Sequence, residues 1–267
     1  MNGFFEFFRV DYFDPLIKVA SSYAADIDGL IWLVLVVVGF WFLVAEGVFL
    51  WFIMKFRARD GRRADYIDGT NKRHKRWITV PHLLVLGFDV LIIVVSFNVW
   101  YRIKMDLPEN PDGGVIRVIG QQWAWTFQHP GADGELDTPD DIFTVDELHV
   151  ENNRTYHFEL QATDVLHSFS VPVWRIKQDA IPGRTITGWF QPTRTGEFDV
   201  QCAEICGFGH GVMIARVMVE DEETHAAWVE ANTPATAAAM VGAVTPAPVA
   251  ASLAAEAGPA PNGHGGH

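Results

Sequence analysis

Cysteine is scarce in this chain: two residues in 267. One disulfide is therefore the most it can form, and a scaffold stapled by several is excluded. Cys-x-x-Cys-His occurs nowhere, so there is no c-type haem attachment site. Charge is nearly missing from two long stretches. Leu30 to Met54 carries only Glu46, and Ile78 to Trp100 carries only Asp89. A soluble chain rarely keeps two such runs, and each exceeds the roughly 20 apolar residues that cross a bilayer. The first 25 residues lack a basic start, an apolar core and a small-residue cleavage site, so no ordinary cleaved signal is expected. Basic residues are few beyond position 101: residues 102–267 hold nine Lys/Arg against 23 Asp/Glu. Such an acidic region offers no footprint for nucleic acid.

What is present divides the chain. Residues 1–29 form an aromatic, acidic N-terminal segment with Phe4, Phe5, Phe7, Phe8, Tyr12 and Phe13, suited to a membrane interface. Asp26 and Asp28 are expected to cap the first helix. Transmembrane helix 1 is placed at 30–54 and transmembrane helix 2 at 77–101, with Pro81 tolerated near the latter's start. Between them, residues 55–76 carry nine Lys/Arg against three Asp/Glu. Basic loops stay cytoplasmic, so both termini and everything after the second helix are expected on the outer, periplasmic side of a bacterial inner membrane. Glu46 and Asp89 lie inside spans, where carboxylates are costly and mark either function or a structural hydrogen bond.

A Pro/Asp/Gly linker at 102–114 leads into short runs that alternate or are rich in β-formers. These are Val115–Ile119, Trp123–Phe127, Ile142–Val145, Thr155–Leu160, Ser168–Val171, Thr185–Phe190, Phe198–Gln201 and Val212–Val219. They predict an all-β sandwich or barrel over 115–230. A helix is expected at Asp221–Glu230, and the Ala/Pro/Gly-rich residues 231–267 read as a disordered tail.

The chemistry concentrates in Cys202-Ala-Glu-Ile-Cys206-Gly-Phe-Gly-His210-Gly-Val-Met213. Thiolate, thioether and imidazole together select copper over hard cations. A mononuclear blue-copper site needs two His and one Cys, and here there is one Cys too many. Two thiolates can instead bridge two coppers, each capped by one His: His210, and an upstream His best supplied by His167. Met213 is then a weak axial ligand. A Cys202–Cys206 disulfide and half of a zinc site are the alternatives for the bare cysteine pair.

This motif resembles the dinuclear copper (CuA) motif of subunit II of the haem-copper cytochrome c oxidases. Gln122-Trp-Ala-Trp125, Asp164-Val-Leu-His-Ser168 and Lys177-Gln-Asp-Ala-Ile-Pro-Gly-Arg184 match as well, and the resemblance covers about residues 28 to 220. It implies a two-helix membrane anchor followed by a Greek-key cupredoxin β-barrel. It implies that the Glu204 backbone carbonyl is the second weak copper ligand, and that the Glu204 carboxylate helps bind a Mg2+ shared with subunit I. Trp123 becomes the residue that receives electrons from cytochrome c or a similar donor, where the residues alone favour core packing; Trp125 packs inside. Asp164 becomes a donor-docking candidate, and Asp140, Asp141, Asp146 and Glu147 add to the acidic surface. The implied partners are subunit I, which holds the haem, and subunit III, within the lipid bilayer. The implied function is that of an electron-input subunit of a respiratory terminal oxidase, a cytochrome-c oxidase in which oxygen is reduced in subunit I. A CuA subunit of a nitric oxide reductase and a copper-binding or assembly protein are the competing functions. In many relatives a glutamate three residues before Trp77 marks a proton pathway. Here that position is His74, which joins Glu46 and Asp89 as a proton-path candidate. His129, His149, His157 and His225 match nothing and read as structural.

Overall fold

The computed structural model describes residues 18–234 except 60, 62, 64, 65 and 67. The aromatic residues Phe4 to Phe13 and the tail from 235 onward lie outside the described residues. The chain divides into two compact units. The first runs to Glu109 and includes Val173–Arg175; the second comprises Asn110–Pro172 and the residues from Ile176 on.

The first unit is a helical hairpin. Helix α1 is Ala24–Phe56 and helix α2 is Lys72–Trp100, extended by a π-helical turn at Tyr101–Met105. Both are long and apolar enough to cross a membrane. In lipid a helix satisfies its own backbone polar groups, which is why a stretch apolar on every side takes this form. The Asn71 side chain caps α2 by accepting the Arg73 N–H at 2.9 Å. The helix thus starts at Lys72, and Pro81 lies in its interior rather than at its start. Asp26 and Asp28 do not cap α1. Its N-cap position is Tyr23, with no side-chain capping bond. The Asp28 carboxylate instead accepts two N–H groups of Arg175, at 2.7 and 2.9 Å. Trp41 of α1 and Phe88 of α2 meet edge to face at 5.8 Å, and Leu33 of α1 and Val99 of α2 are buried. Glu46 and Asp89 are exposed, and His74 is half-buried.

The second unit is a sandwich of two five-stranded sheets. The strands are β1 Val115–Gln121, β2 Ala124–His129, β3 Ile142–Val145, β4 Glu147–Glu151 and β5 Tyr156–Ala162, then β6 His167–Val171, β7 Ile176–Ala180, β8 Ile186–Phe190, β9 Gly196–Cys202 and β10 Ile214–Glu220. One sheet has the order β3-β2-β1-β5-β8 and the other β4-β10-β9-β6-β7. Pairing is antiparallel except for β1 with β5 and β10 with β4. Strand β5 alternates buried and half-buried residues along its whole length, as a half-buried strand must. The inward side chains form an aromatic core: Phe169 lies 5.6 Å from Trp125, 6.3 Å from Phe127 and 6.0 Å from Phe158, centre to centre. Fully buried, these rings lose their water-facing surface and lock the two sheets in register. Helix α3, Glu222–Asn232, follows β10, with Asp221 accepting the Thr224 N–H at its N-cap.

Candidate metal centre

Three strand ends and one loop build the site. Strand β6 opens with His167, and β9 closes with Cys202. Phe169 pairs with Cys202 across these strands. His167 is two residues from Phe169, so it falls on the same side of the sheet. The loop 203–213 then returns to β10. Its ends are held by backbone bonds: Cys202 N–H to Met213 C=O at 3.2 Å, and Ala203 N–H to Ser168 C=O at 2.9 Å.

Cys202 and Cys206 are free and buried, with sulfurs 3.7 Å apart. That is too far for a disulfide, whose sulfurs sit about 2.05 Å apart. Each sulfur faces one imidazole: Cys202 Sγ is 4.0 Å from His167 Nδ1, and Cys206 Sγ is 3.8 Å from His210 Nδ1. Met213 Sδ is 3.7 Å from Cys206 Sγ, and the Glu204 carbonyl oxygen is 3.2 Å from Cys202 Sγ. Ligands held about 2.0–2.3 Å from a shared ion are themselves roughly 3.5–4 Å apart. The donor set therefore fits soft metal. Each sulfur has one imidazole and one weaker donor beside it: His167 and the Glu204 carbonyl at Cys202, His210 and Met213 at Cys206. His167, Cys202 and Cys206 all place ligand atoms within 4.8 Å of one another. Burial pushes the Cys206 thiol up to about 11, and the hydrogen bond with Cys202 adds to the rise. Both thiols must lose protons to take up metal.

His167 is fully buried and its ring is fixed from behind. Its Nε2 lies 2.8 Å from Asp164 Oδ1. A carboxylate only accepts, so Nε2 carries the proton and the Nδ1 lone pair points to the sulfurs. Asp164 also accepts the Gln122 N–H at 2.7 Å and the Val165 N–H at 2.6 Å. Burial pushes the Asp164 carboxyl up, but the hydrogen bonds from His167, Gln122 and Val165 outweigh it and leave it below the usual carboxylate range.

Trp123 does not lie in a strand: it occupies the turn between β1 and β2, partly exposed. Its indole N–H donates to the Cys206 carbonyl at 3.3 Å, and the Gln122 amide donates to the same oxygen at 2.7 Å. The loop lies so close to the indole that a Cβ on Gly209 would run into it. Gly207, at φ +121°, holds a conformation that side chains avoid. Gln122 belongs to the matching Gln-Trp-Ala-Trp run, but the sequence assigns it no role of its own. A polar residue before the tryptophan of a tight turn carries no signal until the loop opposite is known. Trp125 is fully buried, 6.1 Å from the His167 ring.

The acidic residues expected at a docking surface are largely occupied. Asp141 is buried, taking the Gln128 amide and the Asp137 N–H. Asp146 accepts the Trp125 N–H at 2.8 Å, and Asp140 accepts from Thr138. The surface around the ligand loop is instead apolar: Leu166, Ile205, Phe208, Val212 and Ile214 are exposed beside Trp123. Glu204 is half-buried. His129, His149 and His225 gather around Trp228 at the opposite end of the sandwich. His149 stacks on that indole at 4.2 Å, and Glu220 bridges His149 and His225 at 2.9 and 3.1 Å.

Residues 114–220 match the sequence model of the family described as cytochrome C oxidase subunit II, periplasmic domain. The chain is 33% identical over 217 residues to an alternative cytochrome c oxidase subunit 2 of Bradyrhizobium diazoefficiens, covering 73% of this chain and 76% of that one. It is 26% identical over 241 residues to cytochrome c oxidase subunit 2 of Cereibacter sphaeroides, covering 79% and 77%. Among solved structures, the periplasmic domain of subunit II of cytochrome oxidase (CoxB) of Bradyrhizobium japonicum aligns with a TM-score of 0.42 and 28% identity, over 47% of this chain and 96% of that one.

Proposed function

The chain belongs to the cytochrome c oxidase subunit 2 family, and from that premise we propose that its β-domain holds a dinuclear copper centre through which the oxidase takes in electrons. The observation that carries this reading is the pair of sulfurs 3.7 Å apart, each with its own imidazole Nδ1 at 3.8–4.0 Å. Cys202, Cys206, His167 and His210 would hold the two coppers, with Met213 and the Glu204 carbonyl as weaker donors. When bound, such a pair takes up and gives out one electron at a time.

The chain's own residues do the rest. Trp123 reaches from the surface to the Cys206 carbonyl, so it is the route by which an electron from cytochrome c or a similar carrier would arrive. Asp164 and Gln122 hold that turn against the ligand loop. The sheet fixes both ends of the loop, so little moves when charge arrives. Electrons would leave toward haem in subunit I, where oxygen is reduced to water. The Glu204 carboxylate, a hard oxygen donor, suits the Mg2+ shared with subunit I. Asp164 lies at the donor-facing end but spends its carboxylate on His167 and Gln122, so any docking role is secondary. His74, Glu46 and Asp89 are the titratable groups of the membrane helices that a proton path would draw on, and subunit III completes the complex. The basic loop favours a bacterial inner membrane with both termini and the β-domain outside.

Electron paramagnetic resonance of the copper-loaded chain tests the centre. A mixed-valence dinuclear spectrum with two coppers per chain is expected. A four-line mononuclear spectrum would rule it out.

A further inference from the structure

Strand β1 turns Ile116, Val118 and Gly120 toward the core, by the two-residue period of a strand. The first two fill it with apolar side chains. Gly120 is buried and has none. A Cβ there would lie 3.1 Å from Trp125 Cζ3 and 3.2 Å from both Cδ2 and Cγ of His167. The space a side chain would fill is taken by these two rings, whose centres are 6.1 Å apart. Backbone conformation does not explain this glycine. Unlike Gly207, Gly120 holds no left-handed φ, so alanine could adopt its conformation. A glycine inside a strand costs order and packing, and it marks a place where something must come close.

The surroundings have little room to step back. β1 is the central strand of its sheet, and Gly120 pairs with Trp125 on one side and Ala162 on the other. The Gly120 carbonyl accepts the Thr163 N–H at 3.1 Å, one residue before Asp164. Asp164 in turn holds His167 Nε2 at 2.8 Å, so one short segment ties down both the glycine and the imidazole. Trp125 is fully buried, edge to face with Phe169 at 5.6 Å. Interiors packed at crystal density transmit a push of this kind rather than absorb it.

We propose that Gly120 is a positioning residue for His167. Its missing side chain is the slot that lets the imidazole sit beside Trp125 and aim Nδ1 at the sulfurs. Gly120 offers no ligand atom of its own, and its effect runs through the ring. Cys202 Sγ lies 4.0 Å from that Nδ1, and a methyl group at 120 would displace the ring relative to the sulfur. Groups that orient a ligating histidine tune how well it holds metal. The inference rests on the copper reading given above.

The test compares the copper-loaded full chain as wild type, as Gly120→Ala and as Gly120→Ala with Trp125→Phe. Among the described residues the Trp125 indole N–H has no hydrogen-bond partner, so phenylalanine there gives up ring area and no polar contact. It opens room beside position 120. Gly120→Ala is expected to hold copper roughly 10-fold more weakly in competition with a chelator, and to change the hyperfine pattern of the paramagnetic resonance signal. Adding Trp125→Phe is expected to recover most of both. Unchanged affinity with Gly120→Ala would overturn the proposal. So would a lowered unfolding temperature with the signal of the bound copper unaltered, since that marks a glycine needed only for packing. A double variant that binds as weakly as Gly120→Ala, or that does not fold, would overturn it too, because the room opened at 125 should admit the methyl group. A wild-type chain with no dinuclear signal would instead overturn the copper reading beneath it.

Discussion

A carboxylate that accepts three hydrogen bonds has little freedom to meet a diffusing protein, and Asp164 is in that position. One oxygen serves Val165 N–H and His167 Nε2; the other serves Gln122 N–H. Asp164→Asn keeps the shape but sets an amide N–H2 against the Gln122 N–H and removes the charge behind His167. Lost support of this kind behind a ligating histidine lowers metal affinity by roughly 10–100-fold. Competition with a copper chelator should show that loss, with Trp123 fluorescence changing as its turn loosens. A second residue governs response to acid. His129 is buried, its Nε2 lying 3.3 Å from Thr144 Oγ1, and burial, followed by the charges of His149 and His225, pushes it down to about 3. The unfolded chain takes up that proton below about pH 6.5, while the folded chain does not until far lower. Stability is therefore lost as pH falls through this window, by at most about 1.4 kcal/mol per pH unit. His129→Gln should flatten the pH dependence of the β-domain's unfolding transition between pH 6 and pH 4, relative to wild type. An unchanged slope would assign the effect elsewhere.

Helix α3 has eleven residues, none of them buried. Isolated helices shorter than about 12–15 residues are marginal in water, so α3 depends on what it rests against. Trp228 stacks on His149 and meets His129 edge-on at 5.1 Å, while His225 binds Glu220. Trp228→Ala removes the ring contacts, worth about 0.5–1.5 kcal/mol per aromatic pair. Hydrogen exchange should then rise across 222–232 while the strands stay protected; uniform loss of protection would mean the helix supports the entire domain. The same patch shows which elements could be read beforehand. The eight runs picked out by alternation or by β-forming residues all correspond to strands, but Glu147–Glu151 and Ile176–Ala180 were not among them. Both are edge strands, β4 and β7, and both carry charged or polar residues, Glu-Leu-His-Val-Glu and Ile-Lys-Gln-Asp-Ala. Those charged and polar residues interrupt the hydrophobic pattern, although Leu148, His149 and Val150 of β4 are buried. Trp123 was misplaced in a strand for a related reason: turn and strand aromatics look alike until the opposing loop is known. The ligand set itself was legible, because its residues crowd into one short window.

The domain beyond the membrane helices is acidic, yet the face around the ligand loop is apolar, with Phe208 fully exposed at its tip. Charge acts over roughly 10 Å at moderate salt, whereas apolar contact acts only on touching. The acidic field should gather a basic donor and the apolar face should seat it. Raising salt is thus expected to slow association of reduced cytochrome c with the oxidase, leaving electron transfer within the bound pair unchanged. Stopped-flow measurements at several ionic strengths separate the two; a salt-independent association rate would contradict the steering. This division was not legible beforehand, since the acidic positions Asp141 and Asp146 could not be known to face inward or bond backbone. The backbone bond between Cys202 and Met213 has one more consequence. It makes the ligand segment a hairpin pinched at its neck, so that stretch can open and reclose as a unit while the surrounding strands stay zipped. A metal entering the site would then need only this segment to open, while Gly207 and Gly209 at its tip are held to glycine by backbone conformation and by contact with Trp123.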